Sequence, residues 1–169
     1  MRIVGILLGL FVLLTAVGML PGCSSEDTDF SIRLTDSGEV VLTDKYFKSY
    51  DWQTHTIELT EKGIQRWNSY HTYETIPKLN QTLFGKEFVA KLGGKELYQG
   101  KLYSLASSAS YSGVVILEAL FKLDSDPNTI SGNTIQIDFG YPVAGFGAGE
   151  DPRNNSELKE YLEKRGILN

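Results

Sequence analysis

Cys23 is the only thiol in the chain, so its chemistry is not an intrachain disulfide. It follows Leu20-Pro21-Gly22 at the end of an uncharged apolar run that starts behind Met1-Arg2. A cysteine there is placed for acylation at a processed N-terminus. The other chemical candidates are thinner. His55 and His71 are the only histidines, and they fall on different elements without metal-ligand spacing, so both read as surface or core-edge side chains. Asp124-Ser125-Asp126-Pro127-Asn128 opens like a calcium loop, but Thr129 takes the glycine position and Ile135 the place of the bidentate glutamate. An Asp-Pro turn accounts for it. Ser110-Tyr111-Ser112-Gly113 lacks the first glycine of a nucleophile elbow, and no histidine follows Ser112. Gly145 to Gly149 has the glycines of a phosphate cradle, yet Glu150 and Asp151 follow at once and repel phosphate. No catalytic residue, metal or cofactor is expected.

The run Ile3–Leu20 holds 18 residues, against about 20 for a membrane span. Pro21-Gly22 breaks a helix at its end, and the polar, acidic stretch Ser24 to Asp29 suits a tether. Leu20-Pro21-Gly22-Cys23 resembles the bacterial lipobox, departing from it at Pro21. The expected layout is a lipoprotein signal peptide at 1–22, lipidated Cys23 opening a linker over 23–29, and one extracytoplasmic domain over 30–169. The alternatives keep Ile3–Leu20 as an uncleaved anchor or secrete the domain freely. All three place the folded part outside the cytoplasm; the first sets it on the extracytoplasmic face of a membrane, in the cell envelope, with the lipid bilayer as partner through Cys23.

Arg2 is the only charge in residues 1–22, so 15 basic and 21 acidic residues remain beyond it and the formal charge is −6. Phosphate backbones repel such a surface, which argues against nucleic acid. Anionic headgroups repel it too, so attachment falls to a lipid or a helix.

Phe30–Leu34 alternates apolar and polar residues, as a half-buried strand does. Thr35 to Gly38 is a turn, Val40–Leu42 a second strand and Thr54–Leu59 a third. Thr60 is an N-cap for a helix in which Ile64, Trp67 and His71 share a face. Gly63 weakens that helix by about 1 kcal/mol relative to alanine, and Pro77 bars its continuation. Phe88–Leu92 and Lys95–Gln99 flank Gly93-Gly94, a two-residue primed turn that pairs Leu92 with Lys95 and Ala90 with Leu97. Ser104–Ser112 is a serine-rich loop, Gly113–Leu117 a central strand, Asp124–Gly132 turn-rich, and Thr134–Phe139 a late strand. Gly140–Asn154 is a long loop. Ser156–Arg165 is an amphipathic helix with Ser156 as N-cap and Gly166 as terminator. The class is α+β: a mixed or antiparallel sheet with a Gly-Gly hairpin and two packed helices.

Four stretches give this order a resemblance. Thr56-Ile57-Glu58-Leu59-Thr60-Glu61-Lys62-Gly63 is a strand-to-helix entry. Gly85 to Lys95 is a Gly-Lys, apolar strand, Gly-turn hairpin. Ile130 to Ile137 is a closing Gly-x-x-x-Ile strand, and Leu158 to Leu168 a last helix ending Lys-Arg-Gly-Ile-Leu. Together, over residues 54–168, they resemble the head of the first extracytoplasmic domain of SecD, an accessory subunit of the protein-export channel. Gly93 stands where that family has aspartate and Gly100 where it has proline, and the loop 140–154, with Gly149 to Arg153, is not part of that pattern. SecD also has several membrane helices, and this chain has at most one. The resemblance implies a SecD-head-like fold and contact with polypeptides outside the membrane.

The expected role is non-catalytic, a binding or accessory one toward a polypeptide or envelope component. An exported hydrolase with an unrecognised site and a structural envelope protein are the alternatives. Long loops often carry function, and clustered aromatics make contact surfaces. Trp67, Tyr70, Tyr111, Phe146, Glu150, Asp151 and Arg153 are therefore the candidate partner contacts.

Overall fold

The computed structural model describes residues 29–72, 78–79, 83–103, 107–117 and 133–169. In chain order these form β1 (Phe30–Leu34), β2 (Val40–Thr43), β3 (Phe47–Asp51), β4 (Thr56–Leu59), α1 (Glu61–Asn68), β5 (His71–Thr72), β6 (Lys78–Leu79), β7 (Glu87–Leu92), β8 (Lys95–Tyr103), β9 (Tyr111–Leu117), β10 (Thr134–Tyr141) and α2 (Ser156–Arg165). Eight strands make one sheet in the order β2-β1-β7-β8-β9-β10-β4-β3, with β5 and β6 paired separately. Only β8 and β9 run parallel in the large sheet; its other pairs are antiparallel. The fold is α+β.

The outermost strands, β2 and β3, are neighbours in the chain, joined by the one-turn 3-10 helix Asp44–Tyr46. Laid flat, eight strands would hold them about 34 Å apart, whereas the chain from Thr43 to Phe47 reaches at most about 14 Å. The sheet therefore curls until its edges approach. One apolar cluster takes residues from all eight strands, among them Phe30, Leu42, Tyr50, Ile57, Phe88, Leu102, Ile116 and Ile137. Trp67 of α1 and Leu158 and Leu162 of α2 complete it. Each fully buried Ile, Leu or Phe contributes about 1.5–3 kcal/mol.

Both open edges are occupied. Arg66 of α1 donates to the carbonyls of Val40 (2.6 Å) and Val41 (3.3 Å) on β2. Along β3, the Tyr50 amide donates to Ile167 O (2.6 Å) and Tyr50 O accepts from the Asn169 amide (2.8 Å), so the residues after α2 extend the sheet. Covered edges do not template pairing with other chains.

Several expectations change. Residues 44–53 carried no assignment and hold β3. Strand β4 starts at Thr56 rather than Thr54, because Asp51 Oδ1 accepts from the Gln53 and Thr54 amides and closes a turn there (2.9 and 2.8 Å). His71 lies in β5, beyond the end of α1, and shares no helical face with Trp67. Tyr111 and Ser112 are in β9, not in a loop. Asn155, not Ser156, caps α2; its Oδ1 accepts from the Glu157 and Leu158 amides, both at 3.0 Å. Between β7 and β8 the turn glycines have φ of 56° and 79°, and Leu92 faces Lys95. A register shift past Lys91 then sets Ala90 opposite Tyr98 rather than Leu97. The expectations for Ile3–Leu20, Cys23, Pro77, Ser104 and Asp124–Gly132 lie outside the described residues.

Candidate functional site

His55 occupies the turn between β3 and β4 at φ 52°, a left-handed conformation unusual for histidine. The carbonyl of His55 accepts from the Ile137 amide (3.1 Å), which fixes that backbone against β10. The ring is only 4% exposed. Its Nδ1 is 2.9 Å from Tyr50 Oη, and its face meets the Trp52 ring edge-on at 5.5 Å. Burial, helped by the nearby Arg153 guanidinium, pushes His55 below the ordinary histidine value. Burial also pushes the Tyr50 and Tyr98 phenols up. Tyr98 Oη is buried without a hydrogen-bond partner among the described residues. These three groups are neutral near pH 7 and closed to solvent, an arrangement that orders a core rather than moving protons to a substrate.

Asp151 and Arg153 close over this cluster. Arg153 Nε and Nη2 both reach the Asp151 carboxylate (2.9 and 2.6 Å), and Nη1 donates to Ile137 O at 2.5 Å. The guanidinium also lies 5.9 Å from the Phe139 ring centroid. That forked pairing holds the Asp151 carboxyl below the usual carboxylate value. The pair fastens the start of the α2 approach to β10.

Between β10 and that fastening runs the loop 142–150. It folds back on the strand it leaves: a Cβ at Gly140 would stand 2.3 Å from Gly147 N, and one at Gly147 2.5 Å from Phe139 Cδ1. Only glycine permits such an approach. The Ala148 amide donates to Ser112 O (3.0 Å) and the Phe146 amide to Val143 O (2.9 Å). The loop is thus tied to β9, to β10 and to itself. From it project Val143, 61% exposed, and Phe146, 49% exposed.

Of the expected contact residues, Phe146 and Glu150 are exposed, and Tyr111 is half-buried under Lys101, whose Nζ is 5.1 Å from the ring centroid. Trp67 is fully buried in the core. Tyr70 is 5% exposed with its hydroxyl donating to Glu39 (2.8 Å), so neither ring offers a surface to a partner. Asp151 and Arg153 spend their charge on each other. Val143 carried no expectation: a single valine in a glycine-rich loop gives no periodic signal. Asp51, two residues before Gln53 and three before Thr54, was the sequence's cue to the turn that lodges His55. Among the described residues neither Ser110 nor Ser112 bonds to a histidine, lysine or carboxylate, no group of three metal-ligating side chains gathers, and no helix is long and apolar enough to cross a membrane.

No family model, curated protein or solved structure matches the chain.

Proposed function

We propose that the chain is a membrane-tethered extracytoplasmic domain with a non-catalytic binding or accessory role, and that loop 142–150 meets a polypeptide partner. The observation that carries this reading is the outward display of Val143 and Phe146 on a backbone fixed by Gly140, Gly147, Ser112 and the Asp151–Arg153 pair. Exposed large apolar side chains are disfavoured in water. Held rigid, they lose little conformational entropy when a partner covers them. The order strand, helix, Gly-turn hairpin, late strand and terminal helix supports the SecD-head part of the reading, and with it a polypeptide as partner.

The tether is Cys23. Fractionation of cells expressing the full chain tests it: the wild type is expected processed and in the membrane fraction, and Cys23→Ser unprocessed or released. An unprocessed wild type, retained in the membrane no more firmly than Cys23→Ser, would contradict lipidation and point to Ile3–Leu20 as an uncleaved anchor.

A further inference from the structure

Away from the loop, beside β2, lies a cleft of about 230 Å³ lined by Asp29, Arg33, Val40, Thr43, Lys45, Tyr46 and Arg66. It is smaller than the ~300–1,000 Å³ of drug-sized ligand sites. Its charge runs against the molecule: three cations and one carboxylate line it, in a chain of formal charge −5. The cations are placed in different ways. Arg66 is anchored by its donations to Val40 O and Val41 O and by Glu39 Oε1 at 3.4 Å. Lys45 pairs with Asp29 at 2.9 Å. Arg33 projects from β1, and among the described residues its only bond is from Nε to Ser31 Oγ (3.1 Å). Its two terminal nitrogens remain for an acceptor.

We propose that this cleft binds a phosphate-bearing anion. A guanidinium with both terminal nitrogens available matches the spacing of two phosphate oxygens. Arg66 and Lys45 line the cleft as well; their pairing with Glu39 and Asp29 leaves the Arg33 charge over, and Thr43 and Tyr46, which also line it, carry hydroxyls. Two sources of that phosphate are in reach. Six residue steps separate Asp29 from Cys23, at most about 21 Å of chain, so a lipidated Cys23 would hold the cleft near the bilayer surface. The headgroup source rests on the tethered reading; a free phosphate or phosphate ester does not.

The full chain, purified in a nonionic detergent, is titrated calorimetrically with inorganic phosphate and, separately, with short-chain phosphatidylglycerol. The variants are Arg33→Gln, whose side chain bonds only to Ser31 Oγ among the described residues, and Lys45→Gln. Saturable binding by the wild type is expected, weakened about tenfold or more in Arg33→Gln, the loss of a charged hydrogen-bonding pair. Binding of inorganic phosphate assigns a free anion, and binding of the lipid alone assigns a headgroup. Absence of saturable binding with both probes, or wild-type affinity in both variants, overturns the proposal. The outcome is independent of where Cys23→Ser fractionates, so the site and the tether can fail separately.

Discussion

Tyr50 Oη and His55 Nδ1 meet at 2.9 Å across the turn that joins β3 to β4. One partner belongs to the strand that the C-terminal residues cover; the carbonyl of the other is bonded to β10. The pair therefore locks the last strands of the sheet to each other at the place where Asp151 and Arg153 close the loop.

Tyr50→Phe removes the only hydrogen bond that the buried imidazole makes among the described residues and is expected to cost about 1–3 kcal/mol in urea denaturation. His55→Asn tolerates the positive φ and removes the titrating ring. Because folding lowers the His55 pKa, protonation favours the unfolded chain. The stability present above the ordinary histidine value, about 6.5, is lost as pH falls through the depressed folded value. The midpoint difference between wild type and His55→Asn should shift against the wild type as pH is lowered from 7.5 to 5; a pH-independent difference would contradict a buried neutral ring.

Gly63→Ala is expected to destabilise, although alanine gains about 1 kcal/mol of helix propensity. The added Cβ would stand 2.6 Å from Tyr46 O and 3.2 Å from Leu59 Cβ. Helix α1 must then move off the link between β2 and β3, at a cost of about 1–3 kcal/mol. A higher thermal midpoint for the alanine variant would show that the contact is loose.

Gly63 illustrates what was legible in the chain. The N-cap Thr60 (Gly63 N to Thr60 Oγ1, 3.2 Å) and the strands at Phe30, Phe88 and Gly113 are local signals and formed at those positions, although the helix stops at Asn68, short of His71, and the third strand starts at Tyr111. What local pattern cannot report is which backbone a glycine touches. Gly63 reads as a weakness in a helix and is a point of close packing. β3 escaped notice because Phe47-Lys48-Ser49-Tyr50-Asp51 buries only Phe47 and Tyr50, three positions apart, across a register irregularity that breaks period-2 alternation. Trp67 and Tyr70 look like a surface cluster by spacing, but both are buried in the core. The Asp151–Arg153 fork appears in sequence as two charges in a loop; Ile137 O, which accepts the further bond from Arg153 Nη1, is on another element.

Asp44 is buried in the link between the sheet edges and accepts from Tyr161 Oη and Arg165 Nε, both at 2.9 Å. Asp44→Ala leaves that hydroxyl without its acceptor and loosens α2; a loss of about 2–3 kcal/mol is expected, and Asp44→Asn should lose less. Burial, and after it the bond to Asp44, pushes the Tyr161 phenol up to about 12. Spectrophotometric titration of Asp44→Ala should find it lower but still above an ordinary tyrosine. An unchanged titration would mean that Asp44 does not hold it.

Arg153→Lys cannot reproduce the fork to Asp151 and the bond to Ile137 O together. It is expected to cost about 2 kcal/mol, the scale of a hydrogen bond to a charged group, and to speed hydrogen exchange at the Phe146 and Ala148 amides. Wild-type protection of both amides would show that the loop holds itself without the ion pair.

The most direct test of a binding role is site-specific photo-cross-linking in intact cells, with the probe amino acid at Phe146 and, as control, at the exposed Glu61 of α1. A discrete protein adduct at Phe146, absent at Glu61 and lost when Val143→Ser is added, is the predicted result. Equal labelling at both positions, or no adduct at Phe146 in a correctly localised protein, would contradict the assignment of loop 142–150 as the contact.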